Sequence, residues 1–215
     1  MRELASYEDD ATLIQIMESS KDGSRFYFEG GALYTHIDGS GRNLLYYVDG
    51  MLKLLRRSQD ILLLGTAGGA LASELHRRGS RVTAVDNCPV TFDIARRWFY
   101  LPEQVECVQA DAGDFLAATT GKWNAVAIDV FRGFEIPDEA LREPVAKSLA
   151  DVLHPGGLIV WNVAAEVAAA SVDRICELLR AAGLRPRRLQ VVCPFDGNTF
   201  VLCRTSSKPA PAAGR

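Results

Sequence analysis

Several patterns that would place a protein in a common class are missing from this sequence. No hydrophobic run approaches the length of a membrane span, and the chain does not start with the basic segment and apolar core of a secretory leader. The five cysteines form no C-x-x-C pair, the three histidines form no H-x-x-x-H pattern, and no serine lies in a G-x-S-x-G motif. A net charge of −3 gives no general attraction to nucleic acids or anionic membranes. We therefore expect a cytoplasmic protein that binds neither a metal, a membrane nor a nucleic acid.

What the sequence does contain is a Gly-rich turn between an apolar run and a helix. The run 61–64 ends in the turn G-T-A-G-G at 65–69, and a second apolar run at 81–86 ends in Asp86. Gly65 and Gly69 lack a Cβ atom, so the backbone can turn sharply and approach a ligand closely. Asp86 is placed to accept hydrogen bonds from both hydroxyls of a ribose. This order of strand, turn, helix, strand and acid predicts a Rossmann-like unit that binds an adenosine cofactor.

The order of predicted elements indicates an α/β fold with a doubly wound, Rossmann-like sheet that is mostly parallel and ends in an antiparallel hairpin. The last two strands, 189–193 and 199–203, are joined by residues 194–198, too few for the crossover that parallel strands need. The first predicted strand of this sheet begins at Ile61, and the next four span 81–86, 105–110, 124–129 and 158–163. One predicted helix is opened by Pro89, and the others span 70–78, 114–118, 137–153 and 164–182.

An N-terminal appendage precedes this sheet. β-rich runs at 24–29 and 32–37 flank Gly30–Gly31 and predict a small β-hairpin, and Asn43 is expected to cap a helix at 44–57. We divide the chain into this appendage at 1–57, a Rossmann-like cofactor-binding domain at 58–204, and a tail at 205–215. The tail is polar and rich in Ala and Pro, so we expect it to be disordered.

From residue 61 onward the chain resembles the class I S-adenosylmethionine-dependent methyltransferases. The resemblance is carried by the Gly-rich loop, by Asp86, by Ala110–Asp111–Ala112 after the third strand, by Asp129 after the fourth, and by L-H-P-G-G at 153–157 before the fifth. A nicotinamide-dependent dehydrogenase would carry G-x-G-x-x-G and a parallel second half, whereas this turn reads G-x-A-x-G-A. The resemblance implies S-adenosylmethionine as the cofactor. The residues predicted to bind it are Gly65, Ala67, Gly69, Asp86, Asn87, Asp111, Ala112 and Asp129.

A narrower resemblance is to the spermidine synthase family of aminopropyltransferases. In that family an N-terminal β appendage and a Tyr-bearing helix precede the loop, and the segment V-Q-A-D-A-G-D-F-L around Asp111 is similar to its adenine-holding segment. The resemblance implies that Asp86 binds ribose, that Asp111 binds the adenine amino group and that Asp129 is the catalytic carboxylate. Tyr46 or Tyr47 would correspond to the active-site tyrosine.

Two positions depart from the spermidine synthase pattern. The family has an acid in the Gly-rich loop that contacts the amino group of decarboxylated S-adenosylmethionine, and this chain has Gly68 there. The family also has a second acid three residues after the catalytic one, where this chain has Arg132, whose guanidinium would repel a polyamine. We therefore expect intact S-adenosylmethionine rather than the decarboxylated form, and methyl transfer to a small molecule.

The substrate site and the reaction leave alternatives open. Three residues are predicted to bind the substrate. Phe131 would form an apolar wall, Arg132 would bind a carboxylate or phosphate, and Trp161 would line the pocket. Asp129 has two open roles, orienting the amino group of the cofactor or accepting a proton from the nucleophile. One alternative reaction is transfer or cyclisation of the aminopropyl or aminocarboxypropyl arm. Another alternative is a catalytically inactive, cofactor-binding scaffold that forms a homodimer through its N-terminal hairpin and helix.

Overall fold

The structure, a computed structural model, describes residues 1–9, 12–165, 167, 169–191 and 197–207. Strands and helices alternate along most of the chain after residue 60, as the sequence predicts. The strands are β1 (Arg2–Asp9), β2 (Thr12–Glu18), β3 (Arg25–Glu29), β4 (Ala32–Ile37), β5 (Asp60–Leu64), β6 (Arg81–Asp86), β7 (Glu106–Gln109), β8 (Trp123–Ile128), β9 (Leu153–Val163), β10 (Arg187–Gln190) and β11 (Thr199–Arg204). The helices are α1 (Tyr46–Leu55), α2 (Ala70–Arg77), α3 (Thr91–Phe99), α4 (Ala112–Ala118), α5 (Glu143–Asp151) and α6 (Ala169–Ala181).

The larger sheet confirms the predicted α/β class. Within the described ranges its strand order is β10-β11-β9-β8-β5-β6-β7. Strands β5 to β9 run parallel, β11 is antiparallel to β9, and β10 is antiparallel to β11. The chain order reverses at β5, which lies between β6 and β8. Ligands of open α/β sheets bind beyond the carboxyl ends of the strands at such a reversal.

Helices cover both faces of this sheet. In β5, Ile61 and Leu63 pack with buried residues of α1 and α2, whereas Leu62 and Leu64 pack with those of α4, α5 and α6. Because both faces of the strand are buried, its sequence is a continuous apolar run rather than an alternating one. None of the helices in the part of the chain that the structure describes has the length and apolar character needed to cross a membrane.

The N-terminal appendage is larger than the predicted hairpin. It is a four-stranded antiparallel sheet in the order β1-β2-β3-β4, in which β3 and β4 form the predicted hairpin. Strands β1 and β2 are absent from the sequence prediction, although Ile14 and Ile16 of β2 alternate with more exposed residues and are fully buried. These side chains join a cluster with Tyr27 and with Phe99 of α3. The appendage therefore packs directly against the larger sheet's helical layer.

Several predicted helix boundaries are wrong, and α6 begins at Ala169 rather than at 164. Helix α1 begins at Tyr46 with Leu45 as its N-cap, and Asn43 instead closes a turn by accepting the backbone N–H of Leu45 at 3.0 Å. The predicted helix at 137–153 is restricted to α5. Residues 137–141 form separate turns, in which the carbonyl of Pro137 accepts from the N–H of Ala140 at 3.0 Å.

The C-terminal boundaries also differ from the prediction. Strand β9 begins at Leu153 rather than at 158. Thr205 and Ser206, in the predicted disordered tail, extend its pairing: the N–H of Thr205 donates to the carbonyl of Gly157, and the N–H of Gly156 donates to the carbonyl of Ser206, both at 3.0 Å. Strand β10 begins at 187 instead of 189. The end of that predicted strand, 192–193, and the tail from 208 lie outside the described residues.

The carboxyl ends of β5 and β8 meet at Gly65. The N–H of Asp129 donates to the carbonyl of Leu64 at 2.8 Å, and Gly65 has a φ of +82°. A Cβ atom built on Gly65 would lie 2.2 Å from the carbonyl oxygen of Asp129. Backbone conformation and close contact therefore both require glycine at this position. The same contact places the Gly-rich loop beside Asp129.

We predict that Gly65→Ala destabilises the protein more than Gly79→Ala. Gly79 also has a left-handed backbone, with a φ of +90°, but a Cβ atom there would contact nothing within 4 Å. Gly79→Ala should cost about 1–2 kcal/mol from backbone strain alone, and Gly65→Ala at least about 2 kcal/mol more from the added overlap. Urea unfolding measures both values. Equal losses would show that the backbone of β8 does not restrict residue 65.

Candidate functional site

Two neighbouring cavities open at the carboxyl ends of the central strands. We call the first, of about 260 Å³, the polar cavity, and the second, of about 330 Å³, the apolar cavity. Six residues line both cavities and form the junction between them: Tyr34, Gly65, Thr66, Ala67, Asp129 and Phe131. The polar cavity is also lined by Asp86, Asn87, Thr91, Asp111, Ala112, Gly113 and Arg132. The apolar cavity is also lined by Leu33, Leu44, Leu45, Tyr46, Tyr47, Phe134, Asn162 and Asn198.

Asp86 connects strand β6 to the Gly-rich loop. Its Oδ2 accepts the backbone N–H groups of Thr66 at 2.7 Å and Ala67 at 3.3 Å. Its Oδ1 accepts the N–H of Cys88 at 3.0 Å and the hydroxyl of Thr91 at 3.3 Å. Burial raises the pKa of this carboxyl above its ordinary value, and these four donors oppose the rise. Asp86 therefore holds the conformation of the loop in addition to lining the polar cavity.

Asp111 and Ala112 line the polar cavity beside Asp86, where the N–H of Ala110 donates to the carbonyl of Asp86 at 3.0 Å. Asp111 is the N-cap of α4, and its Oδ1 accepts the N–H groups of Gly113 at 2.8 Å and Asp114 at 3.1 Å. This capping role satisfies donors at the helix start that would otherwise lack partners. The cap places Asp111 on the cavity wall together with the first residues of α4. Asn87, which follows Asp86, is exposed on the same cavity.

Asp129 lies at the junction of the two cavities, and both of its carboxylate oxygens accept a hydrogen bond. Oδ1 accepts the Nδ2 amide of Asn162 at 2.8 Å, and Oδ2 accepts the hydroxyl of Tyr47 at 3.2 Å. The carbonyl oxygen of the Asn162 side chain in turn accepts the Nδ2 amide of Asn198 at 2.9 Å. Burial raises the pKa of Asp129, while the donors Asn162 and Tyr47 lower it. The carboxylate is thus fixed in orientation at the point where the cavities meet.

The two candidate tyrosines have different positions. Tyr47 is the one that bonds to Asp129, and burial together with this carboxylate raises the pKa of its phenol well above the ordinary value. Tyr46 lines the apolar cavity but is 56% exposed, and it makes no hydrogen bond to Asp129. Tyr47 is therefore the tyrosine that the structure brings to the candidate catalytic carboxylate.

The three predicted substrate residues are separated in the structure. Phe131 lines both cavities. Arg132 is exposed and lines the polar cavity rather than the apolar one. Trp161 is 1% exposed, packs in the core beneath α5 and α6, and lines neither cavity, so the prediction for it is wrong. Successive side chains of β9 point to opposite faces of the sheet. Asn162, the residue after Trp161, therefore lines the apolar cavity.

Several site residues escaped the sequence analysis. Asn162 carried a visible signal, because it is a polar residue within the apolar strand segment 158–163. Asn198 and Tyr34 had no such signal, because they reach the site through contacts between distant parts of the chain. The described residues contain no group of three His, Cys, Asp or Glu side chains placed to hold a metal ion.

The N-terminal sheet supports the Gly-rich loop through Thr35. The Oγ1 of Thr35, in β4, accepts the backbone N–H of Gly68 at 3.1 Å, and Thr35 is 2% exposed. A Cβ atom built on Gly68 would lie 2.9 Å from three side-chain atoms of Thr35. An acidic side chain at position 68 would therefore require Thr35 to move. A second connection from the same strand is the hydroxyl of Tyr34, which donates to the carbonyl of Gly133 at 2.9 Å.

Comparison with known proteins identifies the fold. A family model described as a methyltransferase domain matches residues 61–157. The crystal structure of a probable spermidine synthase from Corynebacterium glutamicum ATCC 13032 matches with a TM-score of 0.77 at 19% identity, covering 93% of this chain and 79% of that one. The chain has a spermidine synthase-like, class I methyltransferase fold. Because the match covers 93% of the chain, it extends into the N-terminal sheet.

Two further matches are to a polyamine aminopropyltransferase and to a methyltransferase-like protein. The polyamine aminopropyltransferase of Chromobacterium violaceum (strain ATCC 12472) is 31% identical over 127 residues, which cover 55% of this chain and 49% of that protein. The chain thus matches about half the length of that curated relative. Human methyltransferase-like protein 13, in a crystal structure in complex with SAH, matches with a TM-score of 0.63 at 18% identity, covering 79% of this chain and 86% of that one.

We predict that Thr35→Val destabilises the spermidine synthase-like fold, whereas Thr35→Ser does not. Valine has the shape of threonine but leaves the buried N–H of Gly68 without an acceptor, which should cost about 1–3 kcal/mol. Serine retains the hydroxyl and should recover most of that loss. Chemical denaturation of the three proteins provides the comparison. If serine were as destabilising as valine, packing of the threonine methyl group, and not the hydrogen bond, would be the important contact.

Proposed function

We propose that this chain is an S-adenosylmethionine-dependent transferase that methylates a small molecule. The observation that carries the proposal is the position of Asp129, a partly buried carboxylate at the junction of a polar and an apolar cavity. A transferase of this kind needs one site for an adenosine-containing donor and another for an acceptor, with the reacting atoms between them. The two cavities meet that requirement, and their junction includes the Gly-rich loop.

The residues of the polar cavity fit S-adenosylmethionine. Gly65 and Asp86 both line this cavity, and Asp86 does so from the carboxyl end of β6. We propose that Asp86 holds the ribose hydroxyls and that Asp111 and Ala112 hold the adenine. When bound, S-adenosylmethionine supplies a methyl carbon made electrophilic by a positively charged sulfur. The protein's own contribution is to orient both partners and to exclude water, which can contribute several kcal/mol to catalysis.

The lining of the apolar cavity supports an acceptor with an apolar body. Aromatic and aliphatic side chains surround it, including Tyr46, Phe131 and Phe134. Among the described lining residues, Asp129 is the one carboxylate. We propose that Asp129 orients an amine acceptor or accepts its proton, and that Tyr47 holds the carboxylate in place. Such a base contributes about 10²–10⁴-fold to the rate when it acts in proton transfer.

Two observations support methyl transfer over aminopropyl transfer. Gly68 packs against Thr35, so the loop has neither an acid nor space for one where spermidine synthases bind the amino group of the decarboxylated cofactor. Arg132 replaces the second acid, although it lies on the polar cavity and not, as the sequence suggested, on the acceptor side. Aminopropyl transfer remains a second candidate, because the curated relatives are named polyamine aminopropyltransferases.

The cell location and partners belong to the same proposal. The net charge of −3 gives no general attraction to nucleic acid or anionic membranes, and we propose a cytoplasmic enzyme that acts on a small molecule. We keep the homodimer and the domain division at residue 57 as predictions. The inactive scaffold remains the alternative if neither cofactor form supports turnover.

Product analysis with paired cofactors and paired amines distinguishes the reactions. We expect intact S-adenosylmethionine to bind at least about tenfold more tightly than the decarboxylated form, a difference of about 1.4 kcal/mol. n-Butylamine should be a better acceptor than putrescine, which adds only a second ammonium group at the far end of the same carbon chain. Mass spectrometry should detect S-adenosylhomocysteine and methylated amine. Aminopropylated putrescine and methylthioadenosine would contradict methyl transfer and restore the spermidine synthase reaction.

We predict that Asp129→Asn lowers turnover and raises stability at neutral pH. Turnover should fall by about 10²–10⁴-fold with little change in the cofactor's dissociation constant if the carboxylate acts on the nucleophile. Burial raises the pKa of Asp129 in the folded state, so its ionised form destabilises the fold above that pKa. The stability gain should therefore be full at high pH and disappear as the pH falls and Asp129 becomes protonated.

Calorimetry, initial rates and thermal unfolding across pH measure the three quantities for Asp129→Asn. Asp93→Asn, on the exposed face of α3, is the matched control and should change none of them. A fall in affinity with turnover preserved at saturation would assign Asp129 to the amino group of the cofactor. A variant that binds and turns over like the wild type would remove Asp129 from the mechanism.

A further inference from the structure

The side chains of Asn162 and Asn198 form a buried chain of amides behind Asp129. Asn162 lies in β9 and is 1% exposed, and Asn198 lies just before β11 and is 9% exposed. The Nδ2 of Asn198 donates to the Oδ1 of Asn162 at 2.9 Å, and the Nδ2 of Asn162 donates to the Oδ1 of Asp129 at 2.8 Å. The two bonds run in one direction, from Asn198 to the carboxylate.

This direction determines which end of the Asn162 amide faces Asp129. An amide has a donor end and an acceptor end, whereas an ionised carboxylate only accepts hydrogen bonds. Because Asn198 donates to the Oδ1 of Asn162, the NH₂ end of Asn162 must point to Asp129. Without Asn198, the same amide could rotate and present its oxygen, which would repel an ionised carboxylate.

Asn198 is held by its own backbone. Its carbonyl accepts the N–H of Val191 at 2.8 Å, across the base of the connection between β10 and β11. On the other side, the hydroxyl of Tyr47 in α1 donates to the second oxygen of Asp129. The carboxylate is therefore clamped between an amide from the sheet and a phenol from the appendage's helix.

We propose that Asn198 and Asn162 are positioning residues. Their two hydrogen-bonded side-chain amides, which we call the relay, keep the Asp129 carboxylate ionised and aimed at the junction of the cavities. Of the two described donors to Asp129, the Asn162 amide at 2.8 Å is closer than the Tyr47 hydroxyl at 3.2 Å. It therefore opposes the effect of burial, which favours the neutral form of the Asp129 carboxyl. The relay also links the base of the β10–β11 connection to the candidate catalytic group. The consequence for catalysis rests on the proposed function, whereas the protonation of Asp129 does not.

The other titratable groups around Asp129 are few and identifiable. Tyr47 faces it from α1 and Tyr34 from β4, and burial raises the pKa of both phenols above the ordinary value, so both are neutral near pH 7. Asp86 lies across the polar cavity, and Arg132 is on the same loop as Asp129 but is exposed. Asn198→Ala and Asn162→Leu leave all of these groups unchanged and add no charge, so a change in Asp129 titration in either variant reports on the relay.

Asn198→Ala is the decisive variant because it removes the orienting donor without adding a charge, and it should raise the pKa of Asp129. Asn198→Asp, when ionised, can only accept, so the one NH₂ end of Asn162 would be shared between two carboxylates. The pKa of Asp129 should then rise further, by about one pH unit or more relative to wild type, because a donor is replaced by an acceptor and a second negative charge lies nearby.

The measurement is a carbon-13 NMR titration of the aspartate side-chain carboxyls in the full chain, with Asp129→Asn identifying the signal. Asn124→Asp is the matched control: it adds the same charge on β8, where the Asn124 Oδ1 accepts the N–H of Asp60, at the opposite end from Asp129. We expect Asp129 to titrate as in wild type in this control. If Asn198→Asp does not fold, Asn162→Leu, which removes the donor outright, should raise the same pKa.

The results separate the relay from the proposed function. The order wild type, Asn198→Ala, Asn198→Asp in rising pKa supports the relay even if neither cofactor form gives product, in which case the transferase proposal fails alone. If product is formed, the acid limb of the pH–rate profile should move to higher pH in the same order. An Asp129 titration that is unchanged in Asn198→Ala, or in Asn162→Leu where that variant is needed, overturns the relay.

Discussion

The contact between Gly65 and the backbone of Asp129 is the constraint on which the rest of the site depends. It joins the ends of two parallel strands so closely that no side chain fits between them. The Gly-rich loop begins on one side of this contact and the candidate catalytic carboxylate on the other. As a result, the polar cavity and the apolar cavity share one wall. Neither cavity would have this relation to the other if the strands ended further apart.

A buried carboxylate at that junction has an energetic cost that the surrounding residues offset only in part. Two donors, from β9 and α1, satisfy the oxygens of Asp129, yet its pKa stays above the ordinary value. The N-terminal sheet contributes to the same arrangement by supporting the loop through Thr35 and the following segment through Tyr34. The appendage is thus part of the site. A methyltransferase domain alone, as matched at 61–157, would lack these supports.

Much of this could be predicted from sequence, because local signals coincide with the fold. Continuous apolar strands, the Gly-rich turn and the acids at the ends of β6 and β8 predicted the larger sheet and the edge at which the two cavities open. What the sequence could not provide are the contacts between distant segments. Three features depend on the strand order and on which face of a strand each side chain takes. These are the position of Arg132 on the polar cavity, the burial of Trp161 on the far face, and the contact between Asn162 and Asn198. Strand β1 escaped because its charged, exposed residues look like a solvated loop.

The most direct test of this account is a crystal structure of the chain with S-adenosylhomocysteine. The account predicts that the ribose contacts Asp86, that the adenine lies against Asp111 and Ala112, and that the sulfur lies beside Asp129 with the apolar cavity open in front of it. Adenosine bound elsewhere, or a sulfur directed away from Asp129, would contradict the central claim that the junction of the two cavities is the reaction centre.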